Sequence, residues 1–156
     1  MHNTKVTAAA VLVRFLMGWF MFFDGLKILM TPGWSASGFL LNAKTFPALY
    51  AWFAEPFNLV WVNPLNSWGI TLIGVALMLG VFVRPAAWAG LLLMLLYYFP
   101  HNVFPYVTYG YIVEEHIIYA AVFALIALLP AAQTMSLSQV LQKTHLVKIP
   151  FIGKYL

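Results

Sequence analysis

The chain contains no cysteine. That absence removes disulfides, thiolate metal ligands, iron–sulfur ligation by this chain and any cysteine nucleophile. Recognisable haem and flavin motifs are missing as well. Charge is scarce: of 156 residues, 8% are Asp, Glu, Lys or Arg, while 63% are hydrophobic. Soluble domains carry about 25% charged residues, so this chain has too little polar surface to coat a globule in water. The lipid bilayer is the solvent that suits it. Acidic residues are scarcest, four against eight basic ones, for a formal net charge of +4. Basic residues beside apolar spans set topology, so no nucleic-acid partner is expected. Arg14 interrupts the first apolar stretch, and no small-x-small cleavage site stands where a leader needs one. That stretch therefore reads as a retained first helix rather than a signal.

A spanning helix takes about 20 mostly apolar residues. Four stretches come close, at about 7–30, 68–83, 86–99 and 113–132. Only Arg84 and Pro85 separate the second from the third, which predicts a tight antiparallel hairpin. One kinked helix would instead leave Arg84 at the midplane, at a cost of several kcal/mol. Between the first two spans lies an aromatic, apolar segment broken by Pro47, Pro56 and Pro64. Such a composition suits short helices lying in the interface, capping one end of the bundle. Residues 139–156 read as a basic amphipathic tail on the membrane surface. The expected architecture is one all-α domain over 1–156, an integral membrane four-helix bundle. Lys5, Arg84, Lys143, Lys148 and Lys154 outnumber Lys27 and Lys44 on the other side. Both termini are therefore expected in the cytoplasm of a prokaryotic cell.

Helical spacing then sorts the polar residues by face. Arg14, Gly18, Met21 and Gly25 share one stripe of the first helix, with Asp24 about 100° away. Gly69, Ala76 and Gly80 align on the second. Ala86, Gly90, Leu93, Tyr97 and His101 align on the third, and His116, Ala120, Ala124 and Ala127 on the fourth. Small residues on such faces let helices approach in lipid. Intramembrane ionisable groups are costly and tend to be functional. Glu115 with His116 is the expected working pair, facing Asp24 and His101, while Glu114 reads as a solvated helix start. These four form the candidate catalytic group, and Arg14, Lys27, Tyr97 and Asn102 the candidate substrate-binding group. Asp24 and Lys27, three apart, have a local ion pair as their plain structural explanation. Arg14 has two readings, an inward group or an anchor snorkelling to the headgroups. No metal is expected, because the spacing matches no paired-histidine signature.

Several stretches resemble the DoxX/DoxD family. "VRFLMGWFMFFDGLKIL" is similar to its first helix, and "GWSASGFL" to the segment that follows. "WGITLIGVALMLGVFVRPAAWAGLLLML" resembles its second and third helices, and "EEHIIYAAVFALIALLPAAQTMSLS" its fourth. The likeness covers about residues 11–138. It implies a four-helix membrane bundle associated with quinone-linked oxidoreductases, such as thiosulfate:quinone oxidoreductase. By motif, it bears on Arg14, Gly18, Gly25, Lys27, Arg84, Glu115 and His116. Asp24 and Ser138-Gln139 depart from the family pattern.

The expected function is a membrane subunit of a quinone-linked oxidoreductase, such as one of the thiosulfate type, with quinone as substrate. An imidazole beside a carboxylate can hydrogen-bond a quinone oxygen and pass its proton to water. The competing readings are a non-catalytic assembly, anchoring or chaperone subunit, and a small lipid-binding or transport protein. Other subunits or further copies of the chain are the expected partners besides the bilayer.

Overall fold

The computed structural model describes residues 4–107 and 110–134. The expected tail and its three lysines lie outside the described residues. The described chain is mostly helical, running α1 (Thr4–Leu29), α2 (Ser37–Leu41), α3 (Pro47–Phe53), α4 (Pro56–Leu79) and α5 (Val83–His101). A two-stranded antiparallel hairpin follows, β1 (Tyr106–Val107) with β2 (Gly110–Tyr111), then α6 (Glu115–Leu128) and a 3₁₀ turn at Pro130–Gln133. Three helices, α1, α4 and α5, are long and apolar enough to cross a membrane. α6 has 14 residues, about 21 Å at 1.5 Å per residue.

The second long helix departs from expectation at both ends. It begins at Pro56 rather than residue 68 and stops at Leu79 rather than 83. Proline at the first helical position presets φ and lacks only an N–H that would be orphaned anyway. Pro64 then lies inside the helix. Such a break is tolerated in spanning helices when hydroxyl side chains serve nearby backbone carbonyls. Here Ser67 Oγ donates to the Asn63 carbonyl at 3.0 Å. At the far end Gly80 adopts φ 70°, the left-handed conformation that closes helices without a Cβ penalty. The expected two-residue turn is therefore Gly80–Phe82, and Arg84 falls in the first turn of α5. The interfacial cap survives in reduced form as α2 and α3 alone.

α1 and α4 run antiparallel in the closest contact of the fold. A Cβ on Gly18 would lie 2.9 Å from the Gly74 carbonyl, and one on Gly74 would lie 2.3 Å from Phe22 N. A Cβ on Gly25 would lie 2.4 Å from Thr71 Oγ1. The expected stripe of α1 is confirmed, since Arg14, Met17, Gly18, Met21 and Gly25 are its buried residues. The stripe of α4 is not the expected one. Ser67, Ile70, Thr71, Gly74 and Leu77 are buried, whereas a Cβ on Gly69 would meet nothing within 4 Å. The helix starts at Pro56, and its glycines alone do not reveal which face has a neighbour. α5 meets α6 where Gly90 leaves room for the fully buried Phe123 ring.

Outside this core the surface is apolar. Phe57, Val60, Leu65, Trp68 and Leu72 of α4 are all more than half exposed. A water-soluble monomer rarely exposes contiguous apolar area on that scale, and lipid is the solvent that tolerates it.

Replacing Gly74 by valine forces α1 and α4 apart and should cost about 2–3 kcal/mol, in the upper range of overpacking penalties. Gly69→Ala, which meets open space, should be neutral or slightly stabilising. Thermal unfolding of both variants in detergent checks the contrast.

Candidate functional site

The last turns of α5 and the first turn of α6 are brought together by the hairpin. Tyr98, 1% exposed, donates its hydroxyl proton to the Ile112 carbonyl at 2.7 Å. Asn102 Nδ2 donates to the Tyr98 carbonyl at 3.0 Å, and Thr45 Oγ1 donates to the Asn102 carbonyl. Asn102 therefore closes the end of α5 and fastens it to the segment before α3. Glu114 caps α6, accepting from the His116 backbone N–H at 3.2 Å. The same oxygen lies 2.7 Å from His116 Nδ1.

The partner of His116 is thus Glu114, not the expected Glu115. Two residues apart, an N-cap carboxylate and a ring within the first turn of the helix can meet. Adjacent residues on a helix diverge by 100° and do not face each other. Glu115 is exposed. Its side chain and that of His116, with Asp24, Tyr97 and Tyr119, line a cavity of about 230 Å³. The His116 ring lies 5.4 Å from that of His101 and 6.2 Å, edge-on, from that of Tyr97, centroid to centroid.

A larger cavity of about 410 Å³ adjoins it and shares Asp24 and Tyr97 as lining. It sits between the N-terminal half of α4 and the C-terminal half of α5, beneath α2 and α3. Trp34, Phe39, Phe53 and Trp61 make much of its wall apolar and aromatic, while Asp24, Asn66, Tyr97 and His101 are its polar groups. Tyr97 donates its hydroxyl proton to Asn66 Oδ1, a bond that crosses from α5 to α4. Phe39 packs edge-on against Tyr97 at 5.5 Å and at a tilt of 48° against His101 at 5.3 Å. The cap is held by Tyr50, whose hydroxyl donates to the Leu96 carbonyl at 2.8 Å, and by Asn63 Oδ1, which accepts from Ala36 N at 3.0 Å. Burial raises the Tyr50 hydroxyl above the ordinary tyrosine range, so it remains a donor at neutral pH.

Of the expected catalytic group, Asp24, Glu115 and His116 share the smaller cavity, and His101 stands beside them in the larger one. Tyr97 belongs to both. Lys27 is exposed, lies over the Phe23 ring at 5.6 Å and lines neither cavity. It makes no ion pair with Asp24; among the described residues the ion-pair contact is Glu114–His116. Arg14 is remote from the others. Only 2% exposed, it donates from Nη1 to the carbonyls of Ala132 at 2.7 Å and Thr134 at 2.9 Å. The inward reading of Arg14 holds, and its targets lie at the opposite end of α6 from His116. Glu114, Glu115 and His116 place ligand atoms within 4.8 Å of one another, a grouping that the helix start itself accounts for. Asn66 and the aromatic wall escaped sequence reasoning, because the segment from Pro56 was read as interfacial. The run of Asn58, Asn63 and Asn66 inside an apolar segment was the available signal.

Comparison of the chain with protein-family models, curated proteins and solved structures gives no match.

Two variants check these roles. Arg14→Met leaves the Ala132 and Thr134 carbonyls, in and after the 3₁₀ turn, without their charged donor and should cost about 2–4 kcal/mol, read as a lower unfolding midpoint in detergent. Glu114→Ala removes a helix cap, worth about 1 kcal/mol, and frees the imidazole. Nitrogen NMR should show His116 protonated at Nδ1 in the native chain and a mixture of tautomers in the variant.

Proposed function

We propose that the chain binds a quinone in the larger cavity and serves as a membrane subunit of a quinone-linked oxidoreductase. The observation that carries this reading is the cavity itself. Its volume falls in the range of about 300–1,000 Å³ typical of small-molecule sites, which are mostly apolar with a few convergent polar groups. Trp34, Phe39 and Trp61 suit a flat ring, and Tyr97, Asn66, Asp24 and His101 suit its oxygens. The smaller cavity supplies the water side. There His116, fixed by Glu114, can exchange protons with the outer solvent.

The proposal extends to the architecture. α6 continued by the 3₁₀ turn makes a fourth crossing, locked to α1 through Arg14, in a bundle of the DoxX/DoxD type. Both termini lie on the cytoplasmic side, so the histidines face outward. Electrons come from a partner subunit or from a reductant at the outer face. For thiosulfate as that reductant, His101 and His116 are the ring N–H donors at hand, with Lys27 outside both cavities. An assembly or anchoring subunit would need the helix contacts but not the lined cavity.

Chain purified in mild detergent should yield about one quinone on solvent extraction. In nanodiscs, a quinone should quench the fluorescence of Trp34 and Trp61. Tyr97→Phe and His101→Leu should each weaken binding by about three- to tenfold, the loss of one net hydrogen bond. Unchanged affinity in both would defeat the reading.

A further inference from the structure

We infer that the smaller cavity is a cage for a small organic cation, a nitrogen carrying methyl groups such as the head of choline. The inference needs no quinone in the larger cavity. Rings reach this cavity of about 230 Å³ from three helices: Phe20 from α1, Tyr97 from α5 and Tyr119 from α6. Phe20 and Tyr119 meet between α1 and α6 with centroids 5.1 Å apart. Tyr97 gives its hydroxyl proton to Asn66, which lines the larger cavity and not the smaller. Its ring is therefore what remains for the smaller one. The faces of such rings carry the negative part of the aromatic quadrupole and attract cations.

Charge on the wall has the matching sign. Asp24 and Glu115 line the cavity from α1 and α6, and no lysine or arginine does. His116 is the basic side chain there, and its Nδ1 is taken by Glu114. Among the described residues neither Asp24 nor Glu115 has an ion-pair partner. A cleft lined by one sign of charge raises the local concentration of the opposite ion. The rest of the wall selects which cation. Met21, Ile70 and Met94 are each at most 3% exposed and offer only thioether and hydrocarbon. A strongly hydrated ion such as magnesium would exchange water for these surfaces at a loss. A primary ammonium would bring N–H donors that rings and thioethers do not satisfy. A methylated ammonium has none, and its methyl groups pack against rings and sulfur. The close grouping of Glu114, Glu115 and His116 includes neither Asp24 nor the rings, so a metal held there would leave the cage without a role.

The test uses the full chain in dodecyl maltoside, which carries no ammonium group, and follows radiolabelled choline by equilibrium dialysis. Choline should bind at least about tenfold tighter than dimethylbutanol, its uncharged carbon isostere, read by competition. Tyr119→Leu should weaken choline binding by about three- to thirtyfold, the range of one cation–π contact. Phe20→Leu should act in the same direction and keeps the test readable if the first variant does not fold. Asp24→Asn should weaken binding by about fivefold or more. Glu55→Gln, which removes a carboxylate outside both cavities, should leave it unchanged. Equal affinity for choline and dimethylbutanol, or equal losses in Asp24→Asn and Glu55→Gln, overturns the cage. So does tighter binding of manganese than of choline, which would mark a carboxylate metal site. Displacement of choline by dihexanoyl phosphatidylcholine, and not by dihexanoyl phosphatidylglycerol, assigns the cation to a lipid headgroup. Displacement by neither assigns it to a free solute, and displacement by both overturns the inference.

Discussion

The backbone contact between α1 and α4 is the constraint on which the rest of the molecule turns. Lipid supplies no hydrophobic drive to bring helices together, so association depends on close van der Waals contact and internal hydrogen bonds. Gly18, Gly25 and Gly74 permit that contact on one seam, and Gly90 permits a second by admitting Phe123. No comparable contact joins α4 to α5 at their outer halves. Gly69, the glycine best placed for one, faces open space. The cavity is therefore the consequence of where close contact was and was not built. Two tight pairs, α1 with α4 and α5 with α6, leave a gap between them that α2 and α3 roof over.

The two ends of α6 show how a nearly charge-free chain spends its few ionisable groups. Beyond the C-terminal end of α6, Arg14 donates to the carbonyls of Ala132, in the 3₁₀ turn, and of Thr134, which closes it. Carbonyls at the end of a short helical turn lack intrahelical partners, and a buried guanidinium supplies donors for them. At the outer end Glu114 occupies the reciprocal position, accepting from an unpaired N–H. The cap leaves the carboxylate with lone pairs to spare, and His116 takes one of them at 2.7 Å. A residue that looks like ordinary helix punctuation thereby orients an imidazole toward His101, Tyr97 and the smaller cavity.

Much of this was legible in the sequence, and the limits have physical causes. The face of α1 followed from spacing, because Arg14, Gly18 and Gly25 repeat at near-whole turns of an unbroken helix. The expected facing of His116 with Asp24 and His101, and the place of Tyr97 on the stripe of His101, followed from helical spacing. Three other features did not follow. Pro56 and Pro64 read as breaks, although one starts α4 and the other is tolerated within it, so the helix lost its first half and Asn66 was lost with it. The pairing of Glu114 with His116 depends on the non-helical backbone of a cap, φ −142° and ψ −175°, which a uniform 100° wheel cannot represent. The separation of Arg14 from the other polar groups depends on which end of α6 the turn at Pro130–Gln133 reaches.

Placement of the polar groups at the splayed end also has an energetic reason. An ionisable side chain in hydrocarbon is costly, and the cost falls where water or polar partners can reach it. Along the α1–α4 seam there is no room for either, since backbones touch. Asp24 stands one residue before Gly25 on α1 yet points off the seam, into the space shared by both cavities. Tyr97 does the same from α5. A chain with only four acidic residues thus sets Asp24 and Glu115 on the smaller cavity with His116, and uses Glu114 to hold that imidazole. The splayed end of the helices is where such groups can stay solvated.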